Sequence, residues 1–231
     1  MVDLLLAATS GIGVYSVAEA ACYARMPVAT LNAWFFGHQK RAPMRASGIA
    51  VDDTRAITFV DFVEALAIRA LRVDHKISLQ KVREAIGTAR DRYGIDHPFA
   101  RRDHRTVLVG KELHIFLKED AANPVGLTGR DAGQKSFTPC IEAYMQDLDF
   151  DEHGLARLYT AFVYENQKVV MNPKINFGEP MMMENGISAE TLWRAAVAEG
   201  GFERAAEIYE VKVEAVRAAY RYCNGELGMA A

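Results

Sequence analysis

VYSVAEAACYARMPVATLNAWFF, residues 14–36, holds two short helical segments around a break, and the reading of the whole chain turns on it. Ser16 followed three positions later by Glu19 forms a capping box, in which hydroxyl and carboxylate each satisfy a backbone N–H that a helix start leaves without a partner. A helix over 17–24 follows from it. Arg25 and Met26 make a tight break. Pro27 then opens a second helix at the position where its missing N–H costs nothing, and Gly37 stops that helix after Phe36. Ala18, Ala21, Leu31 and Trp34 are placed to pack between the two segments, which is a helix-turn-helix arrangement.

Working outward, residues 1–13 read as a loosely attached leader or a short edge strand, and 38–56 as a loop. Thr58 caps a longer helix with apolar positions Val63, Leu66, Ala67, Ala70 and Leu71. Ser78 caps another with Leu79, Val82, Ala85, Ile86 and Ala89, ended at Tyr93-Gly94. Both show the 3.6-residue stripe of half-buried helices. Beyond His97-Pro98, the runs 106–109 and 113–117 flank Gly110-Lys111-Glu112 and predict a β-hairpin. A connecting loop over 119–136, a helix over 139–148 and strands over 155–163 and 168–171 come next. Helices over 188–199, 202–209 and 212–223 close the chain. The expected class is mostly α within α+β: a winged helix-turn-helix head, a central hairpin and strand region, and a three-helix tail.

Half of the 231 residues are apolar and a quarter are charged, enough for one large domain or two or three small ones. The net charge of −3 conceals an asymmetry: residues 1–110 carry 15 Lys and Arg against 11 Asp and Glu, and residues 111–231 carry 12 against 19. A basic half suits phosphates, and an acidic half suits a basic protein surface. No apolar run reaches the roughly 20 residues of a membrane span, and Asp3 stands where a signal peptide needs a basic residue. Cys22, Cys140 and Cys223 show neither disulfide nor zinc spacing, which points to a reducing cytoplasm.

Residues 14–36 resemble the opening of MerR-type regulators, where a Tyr/Ser-x-x-Glu-Ala-Ala helix leads to a recognition helix ending in Leu-x-x-Trp. TFVDFVEALAIRALRVDHKISLQKVREAIGTAR, residues 58–90, is similar to the two support helices of that family. One departure stands out, since no Lys or Arg lies between Pro27 and Gly37. At the other end, MNPKINFGEPMMMENGISAETLW and GFERAAEIYEVKVEAVRAAYRYC resemble the homeodomain-like domain of unknown function family 433. Pro173, Ile175, Gly178 and Pro180 carry its first part, and Ala206, Tyr209, Val211, Val216, Ala219 and Tyr222 its second. The resemblances divide the chain into a MerR-like DNA-binding domain at 14–95, a central α+β connecting region at 96–165 and a homeodomain-like domain at 166–226. Proteins joining such a head to such a tail include VapB-type antitoxins, which implies a PIN-domain ribonuclease toxin as partner, autorepression and a homodimer on operator DNA.

On that reading Thr30 and Asn32, on the exposed face of the second helix, touch base edges, since an Asn amide can grip adenine through two hydrogen bonds. His38, Lys40, Arg41 and Arg45 hold phosphates of double-stranded DNA from the following wing. The alternatives for these residues are a polar helix face and a solvated charged loop. Trp34 belongs to the core, and Met181, Met182 and Met183 fill an apolar strand. Asp147, Asp149, Asp151 and Glu152 form the densest acidic cluster, a solvated loop in preference to a site for a cation or for a toxin's basic groove. A stand-alone MerR-like regulator, with the central region sensing a small ligand, is the competing function. An enzyme is not expected: 8–13, ATSGIG, imitates a dinucleotide-binding glycine turn, but the following helix is short and no acidic residue stands suitably beyond it. Six histidines with neither H-x-H nor H-E-x-x-H leave metal catalysis without an anchor. Neither cofactor nor metal is expected.

Overall fold

The computed structural model of the chain describes residues 13–38, 42–44, 50–51, 54–117, 120–128, 138–139 and 145–225. The protein is of mixed α+β class and divides into two units, Tyr15–Arg157 and Leu158–Ala231, the second together with Met1–Val14. Among the described residues, no helix is long and apolar enough to cross a membrane.

The first unit opens with β1 (Val14–Ser16), α1 (Val17–Tyr23) and α2 (Val28–Phe36), followed by β2 (Ala50–Val51) and β3 (Thr54–Thr58). The three strands form a sheet in the order β1-β3-β2. Residues 50–51 and 54–56 therefore lie in strands where a loop is expected, because β3 pairs on one side with the neighbouring β2 and on the other with β1, far from it in sequence. Thr58 then caps α3 (Phe59–Val73), accepting the Asp61 N–H at 3.1 Å. Most of α3 is buried, and it is the central helix of the unit. Even its Glu64 carboxylate is out of contact with solvent, where Oε1 accepts the Phe99 N–H at 2.8 Å. The helix α4 (Leu79–Tyr93) starts under Ser78, as expected, and ends where Gly94 turns left-handed at φ 66°.

A second sheet runs in the order β6-β5-β4-β7, from β4 (Arg105–Val109), β5 (Glu112–Leu117), β6 (Asp120–Gly126) and β7 (Thr138–Pro139). The expected hairpin is β4–β5, with Val109 opposite Glu112 across Gly110. The loop expected over 119–136 is corrected by β6, which pairs Val125 with Ile115 and Asp120 with Leu117. Its Asn-Pro composition argues against a strand, but an edge position accommodates Pro124, and the register shifts beside it between Ile115 and Leu117. The helix expected over 139–148 is corrected at both ends. Thr138 and Pro139 pair with Leu108 and Val107, and Leu148 begins β8 (Leu148–Phe150), whose burial alternates as a strand's does. Residues 140–144 lie outside the described residues. Asp151 holds the next turn, its Oδ1 accepting the N–H groups of His153 and Leu155 at 2.9 Å each, and the chain enters β9 (Ala156–Tyr164).

In the second unit β9 pairs with β10 (Gln167–Met171), and β10 with β11 (Met181–Met182). Three helices follow, α5 (Ala189–Ala198), α6 (Phe202–Tyr209) and α7 (Val213–Cys223), within a residue or two of the expected spans. Their core is rich in alanine: Ala189, Ala196, Ala205, Ala206, Ala215, Ala218 and Ala219 pack with Leu192, Val216 and the strand residues Phe162, Val169 and Met182. Met181 and Met182 are buried filler, while Met183 is exposed. Gly13 has φ +63°, and a Cβ there would stand 2.8 Å from the Pro173 Cβ and 3.1 Å from the Phe177 carbonyl oxygen.

Two glycines give opposite expectations for one substitution. Gly87 lies inside α4 with open space where a Cβ would go, so Gly87→Ala raises unfolding stability by about 0.5–1 kcal/mol. Gly13→Ala meets both strain and backbone, and lowers it by about 1 kcal/mol or more. Urea denaturation of the two variants measures both signs.

A pH dependence follows from Glu112. The Lys81 ammonium bonded to its Oε1, and then the Thr128 hydroxyl donating to Oε2 at 2.6 Å, hold this carboxyl below its ordinary value of 4.5. Its contribution is therefore complete above 4.5 and is lost as pH falls through the lowered folded-state value. Glu112→Gln makes the acid limb of the stability curve shallower, as denaturant titrations stepped downward from pH 5 will record.

Candidate nucleic-acid interface

The α1–α2 pair is set by its ends. At the start, the Ser16 hydroxyl accepts the Glu19 N–H at 3.1 Å and the Glu19 carboxylate accepts the Ser16 N–H at 2.8 Å, the reciprocal box that the sequence predicts. At the other end of α1 the chain reverses through Arg25 at φ 51°. The Arg25 N–H donates to the Cys22 carbonyl and the Met26 N–H to that of Ala21, both at 3.0 Å. This is a Schellman closure made without glycine. Pro27 is the residue just before α2, and its carbonyl accepts from Thr30 and Leu31.

Burial of Leu31, Trp34 and Phe35 fixes which side of α2 faces inward. At about 100° per residue the opposite side is centred on Ala29 and Ala33, and Thr30 and Asn32 project roughly 160° apart, on its two flanks. The two candidate base readers thus sit on one helix, separated by a ridge of small side chains. Asn32 is already engaged: its Oδ1 accepts a hydrogen bond from Arg55 Nη1 at 2.8 Å. The Arg55 guanidinium also lies 5.4 Å from the centre of the Phe36 ring, within cation–π range. Arg55 stands on β3, so the strand supplies the cation that the second helix lacks.

His38 is exposed just after α2, while Lys40, Arg41 and Arg45 lie outside the described residues. The described piece between them is anchored on two sides. The Met44 N–H donates to the Trp34 carbonyl at 2.7 Å, and Arg83 Nη1 on α4 donates to the carbonyls of Ala42 and Pro43 at 2.8 and 2.9 Å. Arg55 and Arg83 are the residues that sequence reasoning missed. The β-branched residues Thr54, Ile57 and Thr58 around it could have placed Arg55 on a strand, but nothing local announces Arg83. Residues 8–12 of the glycine-turn reading lie outside the described residues. Among the described residues, no group of three or more His, Cys, Asp or Glu side chains is placed to hold a metal ion.

The geometry defines a mixed α+β protein whose first unit presents a capped helical pair beside a small three-stranded sheet. No protein-family model matches the chain. It is 25% identical over 224 residues to a Mycobacterium tuberculosis (strain ATCC 25618 / H37Rv) protein named "Putative antitoxin VapB45", across 89% of this chain and 92% of that protein. Among solved structures, the crystal structure of Rv2018 from Mycobacterium tuberculosis matches with a TM-score of 0.64 and 20% identity, over 89% of this chain and 96% of that one. That second likeness is one of fold.

The Ser16 cap satisfies the start of α1, and Ser16→Ala should cost about 1 kcal/mol of unfolding stability. A shift of the denaturant midpoint at unchanged slope is the expected record, and an unchanged midpoint contradicts the role given to the cap.

Proposed function

We propose that this protein is the antitoxin of a type II toxin–antitoxin system, neutralising a PIN-domain ribonuclease toxin and repressing its own operon by binding operator DNA. The observation that carries the reading is the identity to a protein bearing an antitoxin's name, spread over most of both chains. The charge asymmetry of the sequence supports it, with a basic first half for DNA and an acidic second half for a ribonuclease surface shaped to bind RNA.

In this reading residues 14–95 are a MerR-like DNA-binding domain, 96–165 a connecting region and 166–226 a homeodomain-like domain of the family 433 kind. The helix α2 enters the major groove as a recognition helix. Thr30 and Asn32 read bases, and the methyl groups of Ala29 and Ala33 leave room for close approach and for contact with thymine methyls. Arg55 exchanges Asn32 for a base edge or phosphate when DNA arrives, which frees the Asn32 carbonyl for adenine. His38, Lys40, Arg41 and Arg45 contact phosphates from a loop that Arg83 positions. A homodimer places two such helices on a palindromic operator. The protein acts in the cytoplasm, and its role calls for neither catalysis nor a cofactor.

Expression of the adjacent open reading frame alone and together with this protein tests the antitoxin role. Growth arrest relieved by co-expression, with the two proteins copurifying, is the expected result, and toxicity that persists beside a soluble antitoxin overturns it. For DNA, binding to the upstream promoter falls steeply with salt. Neutralising Lys40 and Arg41 together lowers the slope of log affinity against log salt by about 2. An unchanged slope removes both residues from the interface.

A further inference from the structure

Where α4 ends, the first unit contains a cavity of about 420 Å³ whose walls include Arg92, Tyr93, Gly94, Arg101, His104 and Leu117. Its lining carries two guanidinium groups and an imidazole but no carboxylate. Asp91, beside Arg92 in sequence, accepts from Arg90 at 3.2 Å, and the Asp103 carboxylate lies beside Gly154.

The two arginines are largely uncommitted. Among the described residues Arg92 makes no side-chain hydrogen bond or ion pair, and Arg101 donates one hydrogen bond, from Nη2 to the His153 carbonyl at 3.0 Å. A guanidinium has five N–H donors, and the Nε of Arg101 is buried with no acceptor among the described residues. Burying such a donor unsatisfied costs free energy that an acceptor would recover. Nor is the end of the helix what holds these side chains, because the backbone N–H groups of Gly94 and Ile95 take the carbonyls of Arg90 and Ala89 at 3.0 Å each. Two cations converging on one cavity repel each other until an anion enters. A fork of planar guanidinium donors suits the oxygens of phosphate, and the volume lies in the range of small-molecule sites.

We propose that this cavity binds a small phosphomonoester dianion, gripped by Arg92 and Arg101 with His104 in its wall. The site lies on the first unit and does not depend on the antitoxin reading. Inorganic phosphate and a nucleoside 5′-monophosphate are titrated calorimetrically into the full-length protein at constant ionic strength, with chloride as control. Saturable millimolar or tighter binding is expected, together with a rise in Tm that chloride does not give. Arg101→Gln and Arg92→Gln should each weaken binding about tenfold. Arg92 is exposed at the end of a helix, so its variant keeps the test open if Arg101→Gln fails to fold. No saturable binding by the native protein, or equal affinity in a folded Arg92→Gln variant, overturns the proposal. Displacement of bound phosphate by a short random-sequence duplex overturns it too, in favour of a contact with the nucleic-acid backbone.

Discussion

The first unit depends on the burial of one tyrosine. Tyr15 is 3% exposed, with its ring edge-on to Tyr23 at 5.8 Å and tilted against Phe62 at 5.6 Å. It thereby joins the strand before α1, the last turn of α1 and the central helix α3 in one contact. Aromatic pairs of this kind add about 0.5–1.5 kcal/mol each beyond the area they bury. Burial, and then the neighbouring Tyr23 and Glu19, push the phenol far above its ordinary pKa. Once α1 is fixed to α3, the short closure at Arg25 leaves α2 little freedom, and the outward side of α2, with Thr30 and Asn32 on its two flanks, is set with it.

The elements legible in the sequence are those whose causes are local. Ser16 with Glu19, Thr58, Ser78 and Ser188 each announce a helix start through a bond to a residue three positions on, and Gly94 announces an end. Strands are fixed by partners elsewhere in the chain, and there the sequence reads poorly. The segment at 120–126 contains Asn-Pro yet becomes β6 because β5 offers an unpaired edge, and Leu148 belongs to a strand although its neighbourhood favours a helix.

The candidate interface divides along the same line. Its helix and the inward side of that helix follow from capping and periodicity, and Trp34 lies in the core as an aromatic at helical spacing should. Its charge does not follow. The second helix has no cation of its own, and the guanidinium beside it comes from Arg55, 23 positions away across a hairpin. Arg83 reaches its carbonyls across 40 and 41 positions. Long-range polar contacts of this sort leave no periodic trace, since a single arginine at a half-exposed position satisfies any pattern.

The close approach at Gly13 bears on the order in which the molecule can be assembled. Gly13 leaves the ribosome long before Pro173 and the turn at Phe177 on which it rests, so nascent chain carrying this glycine waits while the whole of Tyr15–Arg157 is synthesised. Closure between such distant points is entropically slow. The first unit can therefore consolidate before the residues on which Gly13 rests have been made.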